Sequence, residues 1–244
     1  MNAVIYIMDE KKYLECEKYY VFLLLIFVAG FYGGFTISVK GGSFANAQTV
    51  NIALLGIAIG TRNFSSALSI FLSIGAYFIG TIISEQAAWL ISKKRLLRWD
   101  TILVFLDMLV ITALAIAPIH TPALIYSITI NFLCAMQFNT FRSAEGIGMA
   151  TIFITNHVRQ TGSFFTRWMR KPYEKTYLKK WTRHGGMVVS FCLGAAFCSL
   201  LGLKFHTKVL LFADIPLFII FINLLRADLT TERLLLGKRV PSGH

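Results

Sequence analysis

Polar side chains interrupt two otherwise apolar stretches of this 244-residue chain, at residues 44–60 and 149–165. Their amides and hydroxyls offer hydrogen-bond donors and acceptors together, and inside an apolar segment such groups usually face a cavity or a partner helix. They would suit a neutral or zwitterionic solute, or a dehydrated ion. Hydrogen bonds between helices are the alternative interpretation. The candidate binding residues are Asn46, Gln48, Thr49, Asn51, Gln137, Asn139, Thr155 and Asn156.

Three acidic residues within apolar segments are candidates for coupling solute movement to an ion. They are Asp107, Asp214 and Glu85. A carboxyl group in such surroundings can exchange protons near neutral pH. The chain has no HExxH, GxSxG or CxxC motif and no phosphate-binding glycine-rich loop. We therefore predict no metal, no cofactor and no enzymatic activity.

The segments that carry these residues have the composition of membrane helices. The chain is 56% hydrophobic and only 15% charged, whereas soluble domains have about 25% charged residues. A membrane helix needs about 20 mostly apolar residues. Runs near that length occur at residues 19–39, 65–92, 100–117, 122–141, 186–204 and 207–225. The fold class predicted is an all-α, polytopic membrane helical bundle.

The formal net charge of +12 comes from short runs of Lys and Arg between the apolar segments. This distribution is typical of cytoplasmic loops of membrane proteins and argues against a nucleic-acid partner. The most basic stretch, residues 159–183, is predicted to be a cytoplasmic loop. An alternative is a surface helix whose aromatic residues contact anionic lipid.

Two parts of the chain resemble each other in order, which indicates an internal repeat. The first match sets 41-GGSFANAQTVN-51 beside 146-GIGMATIFITN-156, so that Asn51 corresponds to Asn156. The second sets 75-GAYFIGTII-83 beside 194-GAAFCSLLG-202, and Asp107 then falls near Asp214. We predict membrane repeats at 19–117 and 118–225, between a cytoplasmic N-terminal segment 1–18 and a cytoplasmic tail 226–244.

The number of crossings depends on the two short polar segments. If 44–60 and 149–165 are broken or re-entrant helices, six helices cross the membrane. Most Lys and Arg residues then lie on the side of both termini, as the positive-inside rule prefers. Three crossings per repeat would make the repeats inverted, as in many secondary transporters. Eight crossings with parallel repeats is the alternative.

The repeated stretches also resemble a known family. The run 29-AGFYGG-34 followed by 41-GGSFANAQTVNIALLGIAIG-60 resembles the first signature of the YoaK-type family of bacterial membrane proteins. The run 136-MQFNTFR-142 followed by 150-ATIFITN-156 resembles its second signature. The similarity covers roughly residues 20–225. It implies a permease-like protein of a bacterial inner membrane, without naming a substrate.

These observations favour a small-solute permease with a polar site between the two Asn-bearing segments. An intramembrane enzyme acting on a lipid-type substrate, with Asp107 and His157 as the reactive pair, is one alternative. A membrane scaffold or sensor that recruits a partner through the basic 159–183 stretch is the other. The expected partners are the lipid bilayer and an unknown small solute. The sequence leaves monomer and homodimer both open.

Overall fold

The computed structural model describes residues 13–41, 44–94, 96–118 and 120–241. Within these ranges nearly all of the chain is helical, which confirms the all-α prediction. The α-helices are α1 Tyr19–Gly34, α2 Gln48–Gly60, α3 Phe64–Lys94, α4 Trp99–Ile116, α5 Ala123–Thr140, α6 Thr155–Arg170, α7 Lys175–Phe205 and α8 Asp214–Leu229. Shorter elements are a π-helix Phe35–Val39, two-residue strands β1 Ser143–Ala144 and β2 Ile147–Gly148, and 3-10 helices Glu15–Glu17, His206–Phe212 and Arg233–Leu235. Residues 1–12 of the predicted N-terminal segment lie outside the described ranges.

Four helical stretches are long and apolar enough to cross a membrane. They are Tyr19–Val39, Phe64–Lys94, Trp99–Ile116 and Lys175–Leu229. Large apolar side chains on their outer faces are exposed, such as Phe78 at 66% and Leu203 at 81%. In water this exposure would be unfavourable, whereas lipid satisfies it. These features support the prediction of a membrane protein.

Two helix pairs form the closest contacts of the bundle, and glycine makes both possible. In the first pair α1 packs on α7: Gly30 faces the Phe191 backbone, and Gly194 faces the Phe27 backbone. A Cβ atom at either glycine would overlap the facing carbonyl oxygen. Small residues let membrane helices approach this closely.

In the second pair α3 packs on α5, with Gly80 against the carbonyl of Phe132. Further along, the Ser84 hydroxyl donates to the carbonyl of Met136 at 3.3 Å. From the first of these contacts to the second, the residue numbers increase on both helices, so α3 and α5 run in the same direction. The same is true of α1 and α7, where Tyr19 contacts Arg183 and Ser38 contacts Ser199. The remaining main contacts are α2 on α3, α6 on α7 and α4 on α8.

The bundle has two ends that its contacts distinguish. At one end, here called the basic end, α1 and α4 begin and α3, α5 and α8 finish. Arg98 before α4 contacts Asp228 in the last turn of α8, and Arg142 after α5 contacts Glu85 of α3. At the opposite end, Lys40 after α1 donates to the carbonyl of Thr121, between α4 and α5.

The predicted segment 44–60 starts and finishes toward the opposite end. From Lys40 the chain turns back into the bundle, and the Asn46 amide reaches the carbonyl of Ala29 halfway along α1. The helix α2 then begins at Gln48 and returns. Leu54 shares a cavity with Ser65 near the start of α3.

The predicted segment 149–165 is only partly helical, because α6 begins at Thr155. The prediction of a loop over 159–183 is wrong. These residues belong to α6 and to the start of α7, and only 171–174 between them are non-helical. The segment is strongly amphipathic. Phe164 packs against Tyr177 and His184, whereas most of the basic side chains are exposed. Packing of that apolar face makes the segment helical despite its charge.

Candidate functional site

A line of amide side chains crosses the interior of the bundle between α1, the start of α2, and α5. We call it the amide strip and define it as Asn46, Gln48, Asn51, Asn131 and Gln137. Asn46, Asn51, Asn131 and Gln137 are each at most 2% exposed. Four of the five were predicted as site residues from the sequence. Asn131 was not, because nothing in the sequence distinguishes it from an ordinary polar residue in an apolar helix.

Backbone carbonyls fix the orientation of three of these amides. Asn46 Nδ2 donates to the carbonyl of Ala29 at 2.7 Å, and Asn51 Nδ2 donates to that of Phe44 at 3.0 Å. Gln137 Nε2 donates to the carbonyl of Thr151 at 3.2 Å. A carbonyl can only accept a hydrogen bond, so the nitrogen of each amide must face it.

The orientation of the Gln48 amide follows from the orientation of Asn131. Asn131 Nδ2 donates to the carbonyl of Ser127 at 2.8 Å, one turn earlier on α5. The oxygen of Asn131 therefore faces α2, where it accepts a hydrogen bond of 2.5 Å from Gln48 Nε2. This leaves the Gln48 oxygen pointing away from both helices' backbones.

Four amide oxygens of the strip remain without a hydrogen-bond partner in the described part of the chain. They are Asn46 Oδ1, Gln48 Oε1, Asn51 Oδ1 and Gln137 Oε1, and the nearby hydroxyl of Thr151 joins them. A buried polar atom without a partner costs about 1–3 kcal/mol. The amide strip therefore combines nitrogen atoms that all have a partner with four oxygen atoms that have none.

Two of these acceptors belong to amides that lie close together along α1. Asn46 and Gln137 bond toward successive turns of that helix, at Ala29 and Leu25. Four helical residues rise about 6 Å. Gly33, one further turn along, has no side chain, and the space that a Cβ would occupy lies 3.2 Å from Asn46 Oδ1.

The other predicted binding residues lie elsewhere. Thr49 and Thr155 are exposed. Asn139 accepts a hydrogen bond of 2.6 Å from Arg142 and donates to Glu85 at 3.0 Å, at the basic end. Asn156 is held by Arg159 at 2.9 Å. Their amides are occupied by neighbouring charged groups, which a sequence pattern does not reveal.

The three predicted ion-coupling residues also lie in different surroundings. Glu85 has a 63% exposed side chain that pairs with Arg142. Asp107 is 4% exposed near the middle of α4, and it accepts a hydrogen bond of 2.9 Å from the hydroxyl of Tyr32. Asp214 accepts one of 2.8 Å from Thr112. Asp107 and Asp214 stand on helices that pack on each other, although these helices belong to different predicted repeats.

His157, at the start of α6, repeats the role of Asn51 at the start of α2. Each side chain bonds to the carbonyl seven residues before it, Asn51 to Phe44 and His157 to Ala150. Asn156, which the predicted repeat aligns with Asn51, accepts a hydrogen bond from Arg159 instead. His157 also contacts His184 of α7, with 3.0 Å between the two Nδ1 atoms. Burial lowers the pKa of His157 below its ordinary value of 6.5.

A charge network at the basic end was missed by sequence reasoning. Arg98 Nε lies 3.3 Å from Asp228 and 3.5 Å from Glu232, and both carboxylates are 1% exposed. Thr101 donates to Asp228 at 2.7 Å. Glu232 also accepts the backbone N–H of Glu15 at 2.8 Å. The network joins the start of α4, the end of α8 and the segment before α1, so it closes this end of the bundle.

Comparison with known proteins assigns the chain to a family without adding an activity. Residues 21–223, from α1 into α8, match the family described as "Protein of unknown function (DUF1275)". No curated protein and no solved structure matches the chain. The YoaK-type name stays a prediction. Because the match covers most of the helical bundle, the chain belongs to the DUF1275 family.

Proposed function

We propose that this protein is a small-solute permease of a bacterial inner membrane and that the amide strip is its binding site. The observation that carries the proposal is the set of unpaired amide oxygens, of which Asn46 Oδ1 and Asn51 Oδ1 are deeply buried. Polar groups inside a membrane protein are expensive and usually serve a substrate pathway. A bound solute would supply the missing partners.

The pairing of the helices supports a repeat of inverted halves. If α1–α4 correspond to α5–α8, the contact of α1 with α7 corresponds to that of α5 with α3. The contacts α2 on α3 and α6 on α7 then correspond as well. Gly41 and Gly146, aligned in the repeat, both have left-handed backbones, with φ of 63° and 76°.

The directions of the helices support six crossings. Three helices of each half run the length of the bundle, whereas α2 and α6 start inside it and return toward the end from which they came. Both described ends of the chain then share one side of the membrane. The positive-inside rule makes the basic end cytoplasmic. Inverted halves with broken helices at the site are the architecture of many secondary transporters.

Asp107 and Asp214 are the candidates for ion coupling under this proposal. They stand on α4 and α8, which pack on each other and are the corresponding last helices of the two halves. A carboxyl group in contact with both halves can sense their relative movement. The enzyme alternative has less support, because Asp107 bonds to Tyr32 while His157 bonds to Ala150 and His184.

The proposal is tested by solute uptake into proteoliposomes. The purified protein is reconstituted, and uptake of labelled amines, alkali ions, amino acids, sugars and organic acids is compared with empty liposomes. Asn46→Leu and Asn51→Leu should abolish uptake of the solute that the wild type carries. Asn223→Leu is the matched control, since Asn223 bonds only to Ile219 of its own helix. Equal uptake by all four proteins would show that the amide strip is not the site.

A further inference from the structure

We infer that the solute of the amide strip is a small monovalent cation, either a protonated amine or an alkali metal ion. This inference rests on the proposed permease function and specifies the substrate class of the same site. Its starting point is the polarity of the strip. Every amide nitrogen of the strip donates to a carbonyl or to Asn131, whereas the oxygens of Asn46, Gln48, Asn51 and Gln137 have no partner in the described part of the chain.

A site whose acceptors exceed its free donors favours a positive charge. Each unpaired amide oxygen can accept two hydrogen bonds, whereas Asn46, Asn51 and Asn131 each have one further N–H and Thr151 has one O–H. Unpaired oxygens stabilise N–H donors and hard cations, for which carbonyl and amide oxygens are suitable ligands. A carboxylate or phosphate would bring only further acceptors and would leave most of the strip's oxygens unpaired.

The helices that carry the strip have no positive side chain that would repel a cation. Helices α1, α2, α4 and α5 have no Lys or Arg residue anywhere in their sequences. Arg62, after the end of α2, is exposed, and three other basic residues near the helix ends are engaged. Lys40 lies over the ring of Tyr126 at the opposite end, and Arg98 and Arg142 pair with acids at the basic end.

A carboxyl group that can carry negative charge lies near the strip. Asp107 is bonded to Tyr32, which precedes Gly33, the residue beside Asn46 Oδ1. The Asp107 carboxyl is thus linked to the strip through two adjacent residues of α1. When this carboxyl is ionised it favours a cation nearby, because the effective dielectric constant in the interior is far below that of water.

A cavity lined by hydroxyl groups lies one turn of α5 from Asn131, toward the opposite end. The cavity, of about 370 Å³, lies between α2, α3 and α5. Four serines of α3 line it (Ser65, Ser66, Ser69 and Ser73), together with Ser127 of α5. The carbonyl of Ser127 is the one that orients Asn131. Hydroxyl groups can replace water around a cation without binding it permanently.

The test compares solutes of one size and different charge. Wild-type proteoliposomes at pH 7.5 are given methylammonium, rubidium ion, acetamide or acetate in labelled form. The wild type should take up methylammonium or rubidium, and which of them it carries identifies the source of the cation. Asn46→Leu should lower that uptake by about 10- to 100-fold, the weight of one hydrogen bond to a charged group. Asn223→Leu should leave it unchanged.

The remaining outcomes separate this inference from the proposed function. Uptake of acetamide or acetate that is lost in Asn46→Leu would overturn the cation assignment and leave the permease proposal standing. Cation uptake equal in wild type and Asn46→Leu would overturn the assignment of the strip. If the wild type moves no solute of any charge in the wider panel, the proposed function falls, and the inference falls with it.

Discussion

The unpaired oxygens of the amide strip predict that two substitutions make the protein more stable while removing its activity. Asn46→Leu loses one hydrogen bond, to Ala29, with a net value of about 0.5–1.5 kcal/mol. It also removes a buried oxygen whose lack of a partner costs about 1–3 kcal/mol. The Ala29 carbonyl remains bonded inside α1, because a helix supplies the N–H four residues on. We therefore expect a gain of about 1 kcal/mol.

Asn51→Leu should behave in the same way, for the same reason. Its lost partner, the carbonyl of Phe44, still accepts the N–H of Ala47 at 3.3 Å. Asn131→Leu is the contrasting variant, because Asn131 uses both its nitrogen and its oxygen. Removing it leaves Gln48 Nε2 with only the Ala45 carbonyl at 3.4 Å. We expect Asn131→Leu to destabilise the protein by about 1–3 kcal/mol.

The assay is thermal unfolding of the three variants and the wild type, in one detergent and without added solute. For a chain of this size, 1 kcal/mol corresponds to a shift of the melting temperature of about 2–4 °C. Asn46→Leu and Asn51→Leu should melt above the wild type and Asn131→Leu below it. If Asn46→Leu melts as low as Asn131→Leu, the Asn46 oxygen has a stabilising partner in the protein, and the reasoning is refuted.

Three further predictions concern packing, charge and pH, each measured by unfolding of the purified protein. Gly194→Ala should cost at least about 2 kcal/mol because its Cβ would overlap the Phe27 backbone, whereas Gly75→Ala has open space and should be neutral. Arg98→Met should cost about 3–5 kcal/mol, since it leaves two buried carboxylates without their cation. Burial lowers the pKa of His157 below 6.5, so this imidazole binds a proton less readily in the folded protein than in the unfolded chain. The contribution of His157 to stability should therefore fall as the pH drops below about 6.5, and the wild type should lose more stability over this range than His157→Gln. A neutral Arg98→Met, or equal pH slopes for the wild type and His157→Gln, would contradict these assignments.

The membrane helices were predictable from sequence because length and hydropathy alone decide them. The lipid-facing positions of α3, such as Phe71 and Phe78, need no partner, so a local pattern is sufficient. Length and hydropathy do not predict that residues 159–183 are helical. Their helical form depends on packing of Phe164 against α7, which a count of basic residues does not show.

The residues of the candidate site were predictable in part. Asn46, Gln48 and Asn51 were proposed because polar residues inside an apolar segment are conspicuous. The direction of their amides was not predictable, since it is set by the carbonyls of Ala29 and Phe44 and by Asn131, which is 83 residues from Gln48. Arg98 could not be matched with Asp228 for the same reason, as 130 residues separate them.

The close contact of α1 with α7 has a consequence for how the protein is made. Ser38 and Ser199, which touch across that contact, are 161 residues apart. Synthesis at about 5–20 residues per second separates them by roughly 10–30 s. During that time α1 is in the membrane with its glycine surface uncovered, and α5 already has α3 beside it. The first helix to be synthesised, α1, is therefore among the last to receive its packing partner. An insertion factor that shields small-residue helix surfaces would act on α1 during this interval.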